Sequence, residues 1–463
     1  MEFLLSKAQT YQLEKNILKK NNLDIKTLMN EAGSAVWYQT IRAYGQLPKR
    51  IAIFIGSGNN AGDAIIFALH AIDAGVKVDI IEVMPPKSEL VKSILKQHPK
   101  LKSYYINQPK VNDYDVVIDG MLGIGYVNKS NDIVDQWINQ FNQMNAFKVA
   151  IDIPSGVDSD SGSAQTHCKV DLTITFFAKK IGHVFSLGKS AQNKVIIALK
   201  HYYDQSIGFP VVGLSKLNKR AQHVHKYQCG NVAVIGGSTG MSGAGFLTTL
   251  AALRSGVGLA RYYYLTDHFI NLEPAIMTEQ FSKAHLANMV DRHTVLVIGP
   301  GLNMNDAQMV MQDCLHKDFV MVLDAGLLHV LPHTFDFNNR CILTPHVGEA
   351  AKLLNQSNEY IISHPITSAL DLYRQYNTPI ILKAASTIII FNGQVSIVTN
   401  GDPSLATAGS GDVLAGMLAG YVARYGLEQH VLEQVVYQHA NIGKLWAQRT
   451  NANLIASDAL KEI

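Results

Sequence analysis

A chain of 463 residues is too long for one ordinary hydrophobic core, and 47% apolar against 17% charged residues describes a globular protein that buries a sizeable interior. A formal net charge of +3 argues against nucleic acid or an anionic membrane as the main partner. The four cysteines, Cys168, Cys229, Cys314 and Cys341, form no CxxC pair, which argues against a disulfide framework and a zinc cluster and suits a reducing compartment.

The opening MEFLLSKAQTYQLEKN turns polar too soon for a signal peptide, and no apolar run approaches a membrane span, so a cytoplasmic location is expected. From Ser6 to Tyr44 the chain is dense in helix formers, with Leu13, Ile17, Leu28, Ala32 and Val36 at helical spacing. The rhythm then changes to short apolar runs ending in glycine or aspartate: IAIFIGSG, VKVDIIEV, YDVVIDG, FKVAIDIPSG and DLTITFFA. Strands alternating with helical stretches predict an α/β domain built on a mostly parallel sheet covered on both faces. A second series follows from Gly230: NVAVIGGS, TVLVIGPG, FVMVLDAG, CILTPH, PIILKA and TIIIFNG. The polar, basic stretch between them reads as a linker, giving domains 1–212 and 226–463 around a linker at 213–225.

Ligands of such sheets bind beyond the carboxyl ends of the strands. The loop Gly56 to Asp63 follows one strand and opens a helix, where glycines admit close backbone approach and helix-start N–H groups favour phosphate. It is not a dinucleotide GxGxxG, because its third glycine comes one residue late. Asn60, Asp119 and Asp152, with Ser155 close behind, come from three strand ends and point to a pocket for a phosphate and a hard monovalent cation. In the second half, Thr407-Ala408-Gly409-Ser410-Gly411-Asp412 precedes an apolar helix. Bare backbone N–H groups there form an anion hole, and Asp412 stands where it can take a proton from a hydroxyl. His346 and Glu349 follow one strand and Lys383 another, as candidates for orienting a substrate and holding a nucleotide phosphate. Gly182 to Ser190 imitates a Walker loop, but five residues separate its glycines instead of four.

IAIFIGSGNNAGDA, VIDGMLGIG, AIDIPSGVD and DLTITFFAKKIG resemble, in that order, the NAD(P)H-hydrate epimerase domain. NVAVIGGSTGMSGAGFLTTLAALRSGVGL, VIGPGL, LTPHVGEA, LKAAST and NGDPSLATAGSGDVLAGMLAG resemble the ADP-dependent NAD(P)H-hydrate dehydratase. The resemblance covers nearly the whole chain and implies a Rossmann-like three-layer domain followed by a ribokinase-like three-layer domain. It implies repair of hydrated NADH and NADPH: epimerisation of the R and S hydrates, then nucleotide-dependent dehydration of the S form. Position by position, it implies hydrate-binding loops at Asn59, Asn60, Ala61, Gly62 and Asp63 and at Gly123, Ile124, Gly125, Tyr126, Val127, Asn128 and Lys129, with Asp152 a further contact. Potassium would be held by Asn60, Asp119 and Ser155. In the dehydratase half the hydrate would meet Ala244, Gly301, His346 and Asp412. The nucleotide, ADP or ATP with Mg²⁺, would meet Lys383, Ala384, Ala385, Ser386, Thr387 and Gly411. Asp412 is the expected general base of dehydration; Asp152 or Asp119 is the expected proton carrier of epimerisation. Only small-molecule partners are implied, for a homo-oligomer.

Ala61, Ala64, Asp402, Ser404, Leu405, Ala384, Ala408 and Gly245 depart from the family pattern, and an alanine is tolerated only where the backbone does not need positive φ. Two rival readings remain at this point. A ribokinase-like small-molecule kinase accounts for GSGD but leaves the first domain without a task. A non-catalytic binding scaffold accounts for the lost glycines but not for the retained Asp412 and His346.

Overall fold

A computed structural model describes residues 2–127, 131–215, 217, 223, 225–267, 269–288, 294–314, 319–450 and 452–463. The chain divides into two compact units, Glu2–Phe209 and Pro210–Ile463. Asn128 and Lys129 lie outside the described residues.

In the first unit six strands run parallel in the order Lys77–Glu82, Arg50–Ile55, Val116–Gly120, Phe147–Ile151, Val170–Phe176, Gln192–Ala198. Alternate residues of Arg50–Ile55 serve different layers, as the period of a strand requires. Ile51, Ile53 and Ile55 pack with the helices Ile25–Tyr44 and Asn60–Asp73, whereas Ala52 and Phe54 pack with Asp132–Gln143. Three layers result, and the strand ends carrying Asn60, Asp119 and Asp152 are neighbours in one sheet. The helix-rich stretch from Ser6 to Tyr44 forms two helices, Lys7–Asn21 and Ile25–Tyr44. Asn22 stops the first in a left-handed conformation, and Asp24 caps the second by accepting from Thr27 N–H.

The second unit carries a sheet in the order Met277–Gln280, Leu259–Leu265, Asn231–Ser238, Thr294–Ile298, Val320–Leu323, Cys341–Leu343, Ile380–Leu382, Thr387–Phe391, Gln394–Val398. Pairing is parallel up to Ile380–Leu382 and antiparallel in the closing hairpin. Val232 and Val234 join a core with the helices Ser242–Arg254 and Ser410–Tyr425, while Ala233 and Ile235 are buried on the other face. This is again an α/β sandwich. Among the described residues no helix is long and apolar enough to cross a membrane, and the four buried cysteines form no disulfide. The Walker-like run forms two short 3-10 turns, and a Cβ on Gly188 would lie 1.9 Å from the Gly182 carbonyl oxygen. Its glycines serve chain packing.

Two candidate active sites

Asn60, Asp119 and Ser155 converge on residues 121–123 of the first unit. Asn60 Nδ2 donates to Leu122 O at 2.9 Å, and Leu122 N–H donates to Ser155 Oγ at 2.9 Å. Asp119 is fully buried and accepts from Met121 N at 3.2 Å, from Ser155 N at 2.7 Å and from Ser155 Oγ. Burial pushes its carboxyl up, and those bonds oppose the shift. The Cys168 thiol is also driven well up, by burial first and then by Asp119. Among the described residues no Lys or Arg forms an ion pair with Asp119. The buried carboxylate is met by N–H and O–H donors and not by a cationic side chain, with Leu122 O 3.4 Å from the Ser155 hydroxyl beside it, so its charge leaves room for a cation as partner.

The glycine loop is placed by packing as much as by ligand needs. A Cβ on Gly56 would lie 1.8 Å from Met121 O, and one on Gly62 2.3 Å from Met29 Sδ. Asn59 accepts from Ser88 Oγ at 2.7 Å. Ile124 is buried with Ile153, Val157 and Ala191 and anchors the second loop, leaving Gly123 and Gly125 at its surface-facing turns; Tyr126 N–H donates to Gly123 O, and Val127 is 57% exposed.

Asp152 has φ 66°, a left-handed conformation uncommon outside glycine, which sets its carboxylate at the end of the strand Phe147–Ile151. Its Oδ1 accepts from Thr175 Oγ1 at 2.9 Å and from Lys180 Nζ. Lys180, 1% exposed, also donates to Thr175 Oγ1 at 2.8 Å and Phe176 O at 3.1 Å. His183 Nδ1 accepts from Lys180 N, so its Nε2–H donates to Asp152 O at 2.9 Å. Burial and the nearby Lys180 hold His183 down to about 4, neutral at physiological pH. Two further carboxyl groups face this pair. Glu14 is pushed up to about 7 by burial and by Asp152, with Lys180 opposing; Asp63 is pushed well above the usual carboxylate range by burial, Asp152 and Glu14.

The second unit assembles an analogous group. Asp324, 2% exposed, accepts through Oδ1 from Thr344 Oγ1 at 2.7 Å and Lys383 Nζ at 2.8 Å. Lys383 N–H donates to Pro345 O at 2.8 Å, which sets it beside His346. Gly409 has φ 86° ahead of the helix Ser410–Tyr425, and a Cβ on Gly411 would stand 3.4 Å from Lys383 Nζ and 3.9 Å from Asp324 Oδ2. Asp412, in that helix's first turn, is pushed up to about 7 by burial and then by Asp324, with Lys383 opposing. His439 Nε2 lies 3.0 Å from Ser410 O; burial holds this imidazole down to about 4, so it is neutral and donates there, supporting the helix start. Ala244 and Gly301 adjoin, a Cβ on Gly301 falling 3.0 Å from that of Ala244. His346 caps the helix Val347–Leu354, its Nδ1 accepting from Gly348 N and Glu349 N, with its ring largely exposed. Ala384 and Ala385 are exposed, Ser386 is buried and Thr387 opens a strand.

None of the departing alanines sits at positive φ. Ala64 fits because Gly120 gives way to it, the Cβ position on Gly120 being 2.6 Å from Ala64 Cβ. Gly245 has a local cause: a Cβ there would lie 2.3 Å from the Tyr262 ring. Reading the sequence singled out neither Lys180, Thr175 and Glu14 nor Asp324 and Thr344. Lys180 and Asp324 lay in plain view in FAKKIG and VLDAG, both at strand ends beside loops already under suspicion.

Residues 25–182 match the family described as YjeF-related protein N-terminus, and residues 232–463 match NAD(P)H-hydrate dehydratase. The chain belongs to the family of bifunctional NAD(P)H-hydrate repair enzymes, in which an epimerase half precedes a dehydratase half. The bifunctional NAD(P)H-hydrate repair enzyme Nnr of Coxiella burnetii is 30% identical over 92% of this chain and 91% of its own. Nnr of Moorella thermoacetica is 29% identical over 99% and 95%. The ADP/ATP-dependent NAD(P)H-hydrate dehydratase of Bacillus subtilis, co-crystallised with ATP and Mg²⁺, is 27% identical with a TM-score of 0.48, covering 53% of this chain and 91% of that one.

Proposed function

We propose that the first unit epimerises the C6 hydroxyl of hydrated NADH and NADPH at Asp152, and that the second dehydrates the S hydrate with Asp412 as general base. The buried Asp152–Lys180 pair beside two further carboxyl groups carries the first assignment. For the second, the carrying observation is Asp412 at a glycine-opened helix start beside Lys383 and Asp324.

In the dehydratase site Asp412 takes the proton of the C6 hydroxyl as that oxygen attacks the terminal phosphate of the nucleotide. N–H groups at Gly409 to Gly411 face the transferring phosphoryl group, and Lys383 holds the nucleotide with Ala384, Ala385, Ser386 and Thr387. The C6–O bond then breaks with phosphate leaving, a proton departs from C5, and the ring double bond returns. Ala244, Gly301 and His346 orient the hydrate. Mg²⁺ would accompany the nucleotide and neutralise charge on its phosphates, next to Lys383. Asn60, Asp119 and Ser155 would hold K⁺ in the epimerase half, beside the loops at Asn59 to Asp63 and Gly123 to Lys129 that would bind the hydrate. The reading places the enzyme in the cytoplasm as a homo-oligomer, and its buried cysteines, which form no disulfide, suit that compartment.

Incubating the protein with an R and S mixture of hydrated NADH, with and without ADP or ATP, tests this directly. Full conversion to NADH is expected with nucleotide, and interconversion alone without it. Absence of NADH formation with either nucleotide would remove the dehydratase assignment.

A further inference from the structure

We propose that the helix Lys7–Asn21, which precedes the matched residues 25–182, completes the epimerase site and that Glu14 on it is the second proton carrier, acting opposite Asp152. This rests on the first unit being the epimerase.

The backbone brings this helix to the site. The strand Glu2–Leu5 pairs in parallel with Lys179–Lys180, Leu5 lying beside Lys180, so the chain leaves the strand next to the site's ammonium. Ser6 then starts the helix with a capping box shared with Gln9. Leu13 and Ile17 bury one side of it in the core. Lys7, Tyr11 and Glu14, four and three residues apart, share another. That face meets the second substrate loop. Lys7 N–H donates to Asp160 Oδ1 at 2.6 Å, Lys7 Nζ donates to Gly125 O at 3.1 Å, and the Tyr11 hydroxyl is 3.6 Å from where a Cβ on Gly125 would stand. Glu14, one turn further on, is within electrostatic reach of Asp63 from the helix Asn60–Asp73, of Asp152 and Lys180 from the sheet edge, and of Tyr11 from its own helix.

These surroundings divide the labour. Asp152 is bound by an ammonium and a hydroxyl and serves as the acceptor. Glu14 has no ion pair among the described residues, and burial with repulsion from Asp152 raises it to about 7, where a group can both give and retake a proton. Burial, Asp152 and Glu14 push the Asp63 carboxyl well above the usual carboxylate range as well. Glu14 protonates the C6 hydroxyl, the C6–O bond breaks as the N1 lone pair forms C6=N1, and water leaves. Water then adds to C6 from the opposite face and gives its proton to Asp152, and solvent restores both carboxyl groups. No electrons are exchanged with any other group.

The full-length wild type, Glu14→Gln and Glu14→Asp are given pure R hydrate without nucleotide, and the S hydrate formed is followed from pH 5.5 to 9. Wild-type kcat should fall as pH rises through about 7, because the donor must be protonated. Glu14→Gln should lose about a hundredfold in kcat with KM nearly unchanged, and should lose that pH limb. Glu14→Asp should keep the limb at reduced rate, which also covers a glutamine variant that fails to fold. A Glu14→Gln enzyme with wild-type kcat, or an effect confined to KM, overturns the role of Glu14 while leaving the epimerase standing. A wild type no faster than spontaneous exchange overturns both.

Discussion

The two halves use the same polar arrangement at opposite degrees of freedom. In each, a strand-end aspartate accepts through one oxygen from a threonine hydroxyl and a lysine ammonium: Thr175 and Lys180 on Asp152, Thr344 and Lys383 on Asp324. In each, a neighbouring carboxyl group, Glu14 or Asp412, is held up at about 7. In each, the backbone turns left-handed there, at Asp152 itself and at Ala325 just after Asp324. The lysines differ. Lys180 is sealed, its side chain 1% exposed and donating to Asp152, Thr175 and Phe176, whereas that of Lys383 is 21% exposed and, among the described residues, donates to Asp324. A sealed lysine fixes its aspartate; an accessible one can turn from its aspartate to an arriving phosphate.

That contrast is sharpest if both lysines are replaced by methionine. Lys180→Met strands a buried carboxylate with its charge unmatched and should destabilise the first unit by about 3–5 kcal/mol, seen as an early thermal transition. Lys383→Met should act instead on nucleotide KM, and should move the acid limb of dehydration to higher pH, since Lys383 is what opposes the rise of Asp412. Equal effects on melting and on nucleotide KM from the two variants would erase the distinction.

Asp412→Asn should lower dehydration by about a hundredfold or more while R-to-S epimerisation and ADP binding persist. Normal ADP-dependent turnover would reduce Asp412 to a helix-dipole partner. In the unmodified enzyme, dehydration should fall about tenfold per pH unit as pH drops below about 7, because a base must be deprotonated. Epimerisation should fall on the other side, as pH rises. Rate profiles of the two half-reactions bending the same way would show that the two raised carboxyl groups do not have opposite roles. The smallest effect concerns potassium. Replacing K⁺ by tetramethylammonium at equal ionic strength should weaken hydrate binding to the first unit roughly fivefold, a typical coupling between bound ligands. Asp119→Ala should abolish that difference, and identical binding in both salts would remove the cation from the site.

Much of this was legible in the sequence because strand ends announce themselves. The runs ending at Asp119 and Asp152 carried their own punctuation, and parallel sheets place such ends on one rim, while the glycines before Asp412 marked a helix start. The strand Glu2–Leu5 and the strands Leu259–Leu265 and Met277–Gln280 were passed over. The first is short; the others carry arginine, tyrosines or polar residues where a buried strand has Val and Ile. Lys180 was missed for a different reason. A lysine pair reads as solvated surface, and only the fold shows that one of the two is sealed under the sheet rim. Glu14 sits far along the chain from every loop it meets, a relation no local pattern encodes.

Tyr262 ties Gly237, Ser242 and Gly245 of the second unit into one steric block. Its hydroxyl donates to Ser242 O at 2.7 Å, and a Cβ on Gly237 or Gly245 would run into its ring or hydroxyl. Any side chain in place of Gly245 has no room beside this tyrosine. A larger residue at 237 or 245 can therefore be accommodated only together with a smaller side chain at 262.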